Sequence, residues 1–349
     1  MDTKITDFIS SIRFGEMKEY KNISVIPIFL KDVVGPEYIS LDEAMSSGVL
    51  IIKEVSTGGN VPELVAENDG QKLILLLDGE EVIGAKQNRV LNATILLNFK
   101  SKTVIPVSCV EAHRWSYVSE KFTASKNLLN YSTRLAKEKS VSQSLKNSNR
   151  YMSNQGEIWD KIDEMSFEMK VDSQTKAMND VYSTFDEDLN EYIINLSAVS
   201  EQCGIFVFIA GKIAGFDIFS QPDTYSKIHS KLIKSYCMDA LRKELTRKNK
   251  NADKNPDSKK EQNEFPQASI ERAKYFMEEA QLCNESCFKS SGLGDDYRYE
   301  GQFIIGSALF FNDTVIHMAF FKNDDLVAEK DQSGNMQSYR NRMRNRLIE

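Results

Sequence analysis

The chain has 349 residues, 41% apolar and 27% charged, with a net charge of −7. That is enough for one large or two ordinary domains with a real core, and it excludes a disordered, collagenous or disulfide-scaffold protein. The longest apolar run, Gly204 to Phe216, is too short for a bilayer and carries Lys212, so no membrane partner is expected. Met1-Asp2-Thr3-Lys4 lacks the start of a signal peptide, and five cysteines, an odd number, fit reduced thiols in a cytoplasmic protein. The acidic balance argues against a nucleic-acid partner, since such binders present a strong positive field.

In chain order, short Val/Ile/Leu runs predict strands at Val25 to Phe29, Val49 to Val55, Val61 to Glu67, Leu73 to Leu77, Gly84 to Leu97 and Val104 to Trp115. Gly58-Gly59-Asn60 and Asn68-Asp69-Gly70 punctuate them. One short helix interrupts the strands at Leu41 to Ser46, where Ser40 and Glu43 form a capping box and Gly48 follows the end. The middle is helical: Ile158, Ile162, Met165 and Met169 share one stripe, and Met178, Val181, Tyr182, Phe185, Leu189, Tyr192, Ile193 and Leu196 another. These stripes are core, with no chemistry attached.

Strands return at Gly204 to Phe219, then a helix from Thr224 to Leu245. Arg242 to Glu261 holds eight Lys/Arg and four Asp/Glu with almost nothing apolar, which predicts a mobile, dispensable surface insertion over Asn249 to Gln262. A helix around Ala268 to Ala280 and a hairpin from Gln302 to Phe321 follow, and Arg340, Arg342, Arg344 and Arg346 make a basic tail. Gly204 to Phe219 and Gly306 to Phe321 align without gaps, and Leu75 to Ala85 resembles both. The pattern is α+β, with antiparallel sheets from the N- and C-terminal parts joined across a central helical section. Its divisions are a β-rich 1–125, a helical 126–200, an α+β 201–330 and a tail 331–349.

Chemistry concentrates in two stretches. Asp78 to Arg89 ends in Lys86, Gln87, Asn88 and Arg89, four polar residues where a half-buried strand would alternate, so at least one face is wet or partnered. Cys109 to Trp115 carries Glu111, His113, Arg114 and Trp115. Pairing about a centre near residue 100 sets Arg89 opposite Glu111 or its neighbours, and Gln87 opposite His113 or Arg114. Arg89, Lys86 and Arg114 would hold an anion beside Gln87 and Asn88, Trp115 would stack, and Glu80 or Glu111 would serve as acid or base. The competing reading is a buried Arg89–Glu111 pair that fixes register and binds nothing. Glu80 and Glu81 point to opposite faces, so one of them is expected in solvent. Three histidines without ligand spacing and an isolated Cys283-x-x-x-Cys287 point to free thiols, no metal and no cofactor, and His317 reads as a core histidine.

The run Gly79 to Arg89, with Ile105-Pro106-Val107-Ser108-Cys109-Val110-Glu111 and Arg114-Trp115, resembles the ARG-and-rhodanese/phosphatase-superfamily-associated protein domain family. Tyr38 to Ala44, Gly48 and the hairpins at Gly211 to Phe216 and Val315 to Phe321 fit the same pattern. His113 stands where that pattern has glycine. The resemblance implies association with ADP-ribosylglycohydrolases and rhodanese or phosphatase proteins, hence work on ADP-ribose or a related phosphorylated nucleotide in defence or repair. The alternative is a non-catalytic module whose polar network is structural and whose partner is another protein.

Overall fold

Ser40 accepts the Glu43 amide while the Glu43 carboxylate accepts the Ser40 amide, so the first short helix after the strands begins where its capping box lies. The structure is a computed structural model. It describes residues 1–323 apart from 34, 57, 60 and 253–266. The chain opens with α1 (Thr3–Ser10), β1 (Ile12–Phe14), β2 (Lys18–Tyr20) and β3 (Ile23–Leu30). Next come β4 (Tyr38–Ser40), α2 (Leu41–Ser46), β5 (Leu50–Glu54), β6 (Glu63–Asn68) and β7 (Leu73–Leu76). Then follow β8 (Glu80–Gly84), β9 (Arg89–Leu91), β10 (Ile95–Leu97), β11 (Ser101–Cys109) and β12 (Phe122–Leu128). The helical middle is α3 (Tyr131–Ser148), α4 (Gln155–Glu168), α5 (Met178–Thr184) and α6 (Asp186–Asn195). The last part holds β13 (Gly204–Ile209), β14 (Lys212–Phe219), α7 (Pro222–Ala252) and α8 (Ile270–Gln281). It ends with β15 (Asn284–Lys289), β16 (Asp295–Glu300), β17 (Ile304–Phe311) and β18 (Thr314–Lys322). The fold is α+β, and none of the described helices is long and apolar enough to cross a membrane.

The largest sheet runs β1-β3-β13-β14-β18-β17-β16-β15, with β2 also on β3. It joins both ends of the chain, because β3 pairs with β13, Ile28 opposite Gly204. The first thirty residues are therefore part of the C-terminal sheet rather than of the motif-bearing one. Alternation divides its faces. Ile205 and Val207 point with Val25 toward Ile228, Leu232 and Tyr236 of α7. Phe206, Phe208 and Phe216 point with Ile26 toward Ile5 of α1 and Phe276 of α8.

The two aligned hairpins sit side by side in this sheet, β14 against β18. Each carries a register shift at the matching place, between Val207 and Phe208 and between Leu309 and Phe310. Each turns through two positive-φ residues, Ala210-Gly211 and Asn312-Asp313. Leu75 to Ala85 does not make a third copy: β7 pairs with β4 and β10, whereas β8 pairs with β9 and β12.

The second sheet, β12-β8-β9-β11-β6-β5, curls until its edge strands β5 and β12 meet. Ile52, Leu64, Val82, Leu91, Val107 and Phe122, one from each strand, enclose a single apolar core. The strand expected over Gly84 to Leu97 is broken into β8, β9 and β10, and β10-β7-β4 forms a small third sheet with a parallel β4–β7 pair.

Both predicted helical stripes are buried, α4 through Ile158, Ile162 and Met165, α5 and α6 through Met178, Tyr182, Leu189 and Tyr192. The long helix passes its expected end. Arg242 is anchored by Glu164 at 3.2 Å and Glu168 at 2.6 Å, so the charged segment begins as helix rather than insertion. Its remainder beyond Ala252 and the tail arginines lie outside the described residues.

A charged hub locks the curled sheet and α3 onto the large sheet. Asp217 of β14 accepts from Arg134 Nη2 at 2.8 Å, Tyr236 Oη at 2.6 Å and His317 Nε2 at 3.2 Å. Because a carboxylate only accepts, His317 carries its proton on Nε2, leaving Nδ1 to accept from Thr94 Oγ1 at 3.0 Å. Arg134 Nε lies 3.6 Å from Asp78, which also holds Lys137. All of these side chains are buried.

Candidate functional site

The polar motif is a turn, not a strand. Gly84 at φ +132° and Ala85 at φ +39° swing the chain out of β8, and Arg89 starts β9. A Cβ on Gly84 would lie 2.5 Å from Ser119 Oγ and 2.9 Å from the Lys121 carbonyl, so the backbone approach needs glycine. Lys86, Gln87 and Asn88 thereby gather at one end of the curled sheet, with the end of β5 and the end of β11.

The register sets Arg89 opposite Cys109, because β11 stops there and the chain leaves the ladder; Glu111 instead bridges to Ala177. The expected Arg89–Glu111 pair is replaced by two others. Glu111 is bound by Arg114, at 2.8 Å from Nε and 2.6 Å from Nη2, and accepts the Asn88 amide at 3.1 Å. Burial pushes Glu111 up, but the Arg114 and Asn88 bonds outweigh it and hold the carboxyl below its usual range. Gln87 Nε2 donates to the Glu111 carbonyl at 2.8 Å, and Arg114 also donates to the Ala85 carbonyl at 2.8 Å and Asn88 Oδ1 at 3.1 Å. This part of the network is closed and paired.

Arg89 is paired differently. It is fully buried, donates through Nη1 to Gln87 Oε1 and Cys109 Sγ, both at 2.7 Å, and lies 4.0 Å from Glu54 at the end of β5. Among the described residues, Arg89 Nε and Nη2 and both Glu54 carboxylate oxygens are buried without a hydrogen-bond partner. Burial pushes the Cys109 thiol up to about 11 against the pull of Arg89, so it stays protonated. Above the guanidinium, at 5.6 Å, lies the ring of Trp115, 49% exposed. Lys86 Nζ stands 5.2 Å from the same ring and donates to the Gly58 carbonyl at 2.5 Å. His113 is exposed, its amide bonded to the Thr175 carbonyl.

Glu80 sits apart, its oxygens taken by Lys231 at 2.9 Å and the Leu77 amide at 2.8 Å. Glu81 is equally buried, so neither of the adjacent carboxyls is in solvent. Ser125 Oγ donates to Glu81 at 2.6 Å, yet desolvation raises its pKa to about 7. A carboxyl raised on folding binds more protons folded than unfolded between its ordinary value and 7, so stability falls as pH rises through that window. Glu81→Gln should therefore be near neutral at pH 5 and stabilising by about 2 kcal/mol at pH 8, read from urea unfolding at both. An equal effect at the two pH values would show that Glu81 does not titrate there.

Glu54 was not visible as a site residue, although it follows Leu50 and Ile52 on the apolar face of an alternating strand, and a charge there is the available signal. Two cavities lie elsewhere. One of about 860 Å³ is lined by Lys21, Lys212, Asp239 and Arg242 among others; one of about 510 Å³ runs along Glu37, Glu43 and Asp223. Neither Lys86 to Arg89 nor Cys109 to Trp115 contributes to their walls.

No curated protein and no solved structure matches the chain. Residues 11–321 match the family described as the ARG and Rhodanese-Phosphatase-superfamily-associated Protein domain. That span takes in the turn at Gly84, the Arg89–Glu54 and Glu111–Arg114 pairs and both aligned hairpins, and the chain belongs to this family.

Proposed function

We propose that the protein binds a phosphorylated nucleotide, ADP-ribose or a relative of it, at the motif end of the curled sheet. The observation that carries this is the buried Arg89–Glu54 couple, four polar atoms without hydrogen bonds beneath a half-exposed tryptophan. Leaving such atoms unpaired costs about 1–3 kcal/mol each, a cost that a bound polar group removes. Trp115 offers a face for a base or sugar, and Lys86 over that ring suits phosphate. Binding fits better than turnover, because Glu80 and Glu111 are spent on Lys231 and Arg114. The family's description names ARG and rhodanese–phosphatase proteins as associates; a role beside nucleotide-processing partners in defence or repair is part of this proposal.

A second reading, a protein-interaction module, is favoured by the closed Gln87–Asn88–Glu111–Arg114 network and by exposed Val55, Val61, Trp115 and Val118 near it. Thermal melting separates the two. A millimolar nucleotide panel that includes ADP-ribose should raise the midpoint by several degrees for at least one member, since a ligand of the folded state alone must stabilise it. No shift with any member rejects nucleotide binding and leaves the interaction module.

A further inference from the structure

We infer that the group received by Glu54 and Arg89 is the cis-diol of a ribose, and that the phosphates stay outside on the rim. This rests on the nucleotide reading and names which part of the ligand enters. Arg89 alone would suit a phosphate, but it does not stand alone: the Glu54 carboxylate is 4.0 Å away, buried, and repels an anion placed on the guanidinium. The two side chains present opposite hydrogen-bond demands. Glu54 only accepts, with two oxygens to fill; Arg89 only donates, with Nε and Nη2 to spend.

A neutral group that is donor and acceptor at two adjacent positions answers both. Each hydroxyl of a vicinal diol gives its proton to Glu54 and accepts from Arg89. The Nη1 flank of Arg89 is closed. Gln87 Oε1 and Cys109 Sγ already occupy Arg89 Nη1, and the thiol in turn donates to Gln87 Oε1 at 3.1 Å. Entry is through Trp115, the half-exposed side chain over Arg89, whose displacement leaves its ring beside the sugar. Lys86, at the outer edge of that ring, then faces the phosphate side.

The test uses the full chain and two ligands with the same base and phosphates: ADP-ribose, and ADP-ribose whose cis-diols have been cleaved with periodate and reduced with borohydride. Calorimetric titration should find binding of intact ADP-ribose and at least about a hundredfold weaker binding of the opened form, as expected when buried polar groups lose the hydroxyls they were built for. Glu54→Gln, checked by melting to be folded, should lose a similar factor for the intact ligand and little for the opened one. Equal affinity for the two ligands overturns the diol assignment while leaving nucleotide binding in place. Binding of neither by the wild-type protein overturns both.

Discussion

Asp217→Ala should lower the unfolding free energy by about 3–5 kcal/mol at neutral pH, because it leaves a buried guanidinium without its nearest carboxylate. Arg134 would keep only Asp78 at 3.6 Å, while Tyr236 and His317 would each lose an acceptor. Burial pushes the Asp217 carboxyl up, but Arg134 and the His317 bond more than reverse this and hold it well below the usual range. A group depressed on folding contributes stability that is full above its unfolded value, about 3.9, and is lost as pH falls toward its folded value. The gap between wild type and Asp217→Ala should therefore be complete at pH 7 and narrower at pH 3, measured by urea midpoints. A gap that does not change with pH would mean the carboxylate's charge is not what the hub uses.

Arg89→Ala should cost a similar amount, about 3–5 kcal/mol, since it strands the buried Glu54 carboxylate and leaves Gln87 Oε1 with the weaker Cys109 thiol as its donor. The double variant Arg89→Ala/Glu54→Gln should recover about 1–3 kcal/mol of that loss, the coupling expected of neighbours in one network. Additive single effects would show that the two side chains do not interact. Glu111→Gln, by contrast, should act through Arg114 and not through Arg89, so its effect should add to that of Arg89→Ala.

The strands were legible where Val, Ile and Leu dominate, as in β3, β5 and β13, and the helices where a stripe repeats, as in α4. Other elements carry no such mark. The edge strand β15 reads Asn-Glu-Ser-Cys, polar because one side of an edge meets water, while its inner neighbour β16 reads Asp-Asp-Tyr-Arg because Asp296 and Arg298 are buried as an ion pair with Glu138. The α3 stripe is hard to see because most of its buried face, Thr133, Arg134, Lys137, Glu138 and Ser142 beside Ala136, Val141 and Leu145, is polar, which a hydrophobic pattern ignores.

The motif was found but misplaced. Ala85 at φ +39° is a conformation alanine seldom adopts, so nothing in Gly-Ala-Lys-Gln-Asn-Arg marks the turn except Gly84. Counting across the loop near residue 100 came within two residues of the true register, Cys109 opposite Arg89. It could not foresee that β11 would end there and hand Glu111 to Arg114. His317 was legible as a core histidine, whereas its two partners, Thr94 between β9 and β10 and Asp217 of β14, meet it only in three dimensions.

The pairing of β3 with β13 has a consequence for synthesis on the ribosome. Ile23–Leu30 emerges early and can pair with β1 and β2 on one side, but its other, apolar edge stays open, because the strand that covers it, Gly204–Ile209, lies beyond the whole curled sheet and the helical middle. At about 5–20 residues per second the nascent chain carries that edge for on the order of ten seconds or more before its neighbour exists. The curled sheet can close during this time, while the large sheet cannot grow past β3, so chaperone demand should fall on the first thirty residues, and truncations ending before Gly204 should aggregate through them.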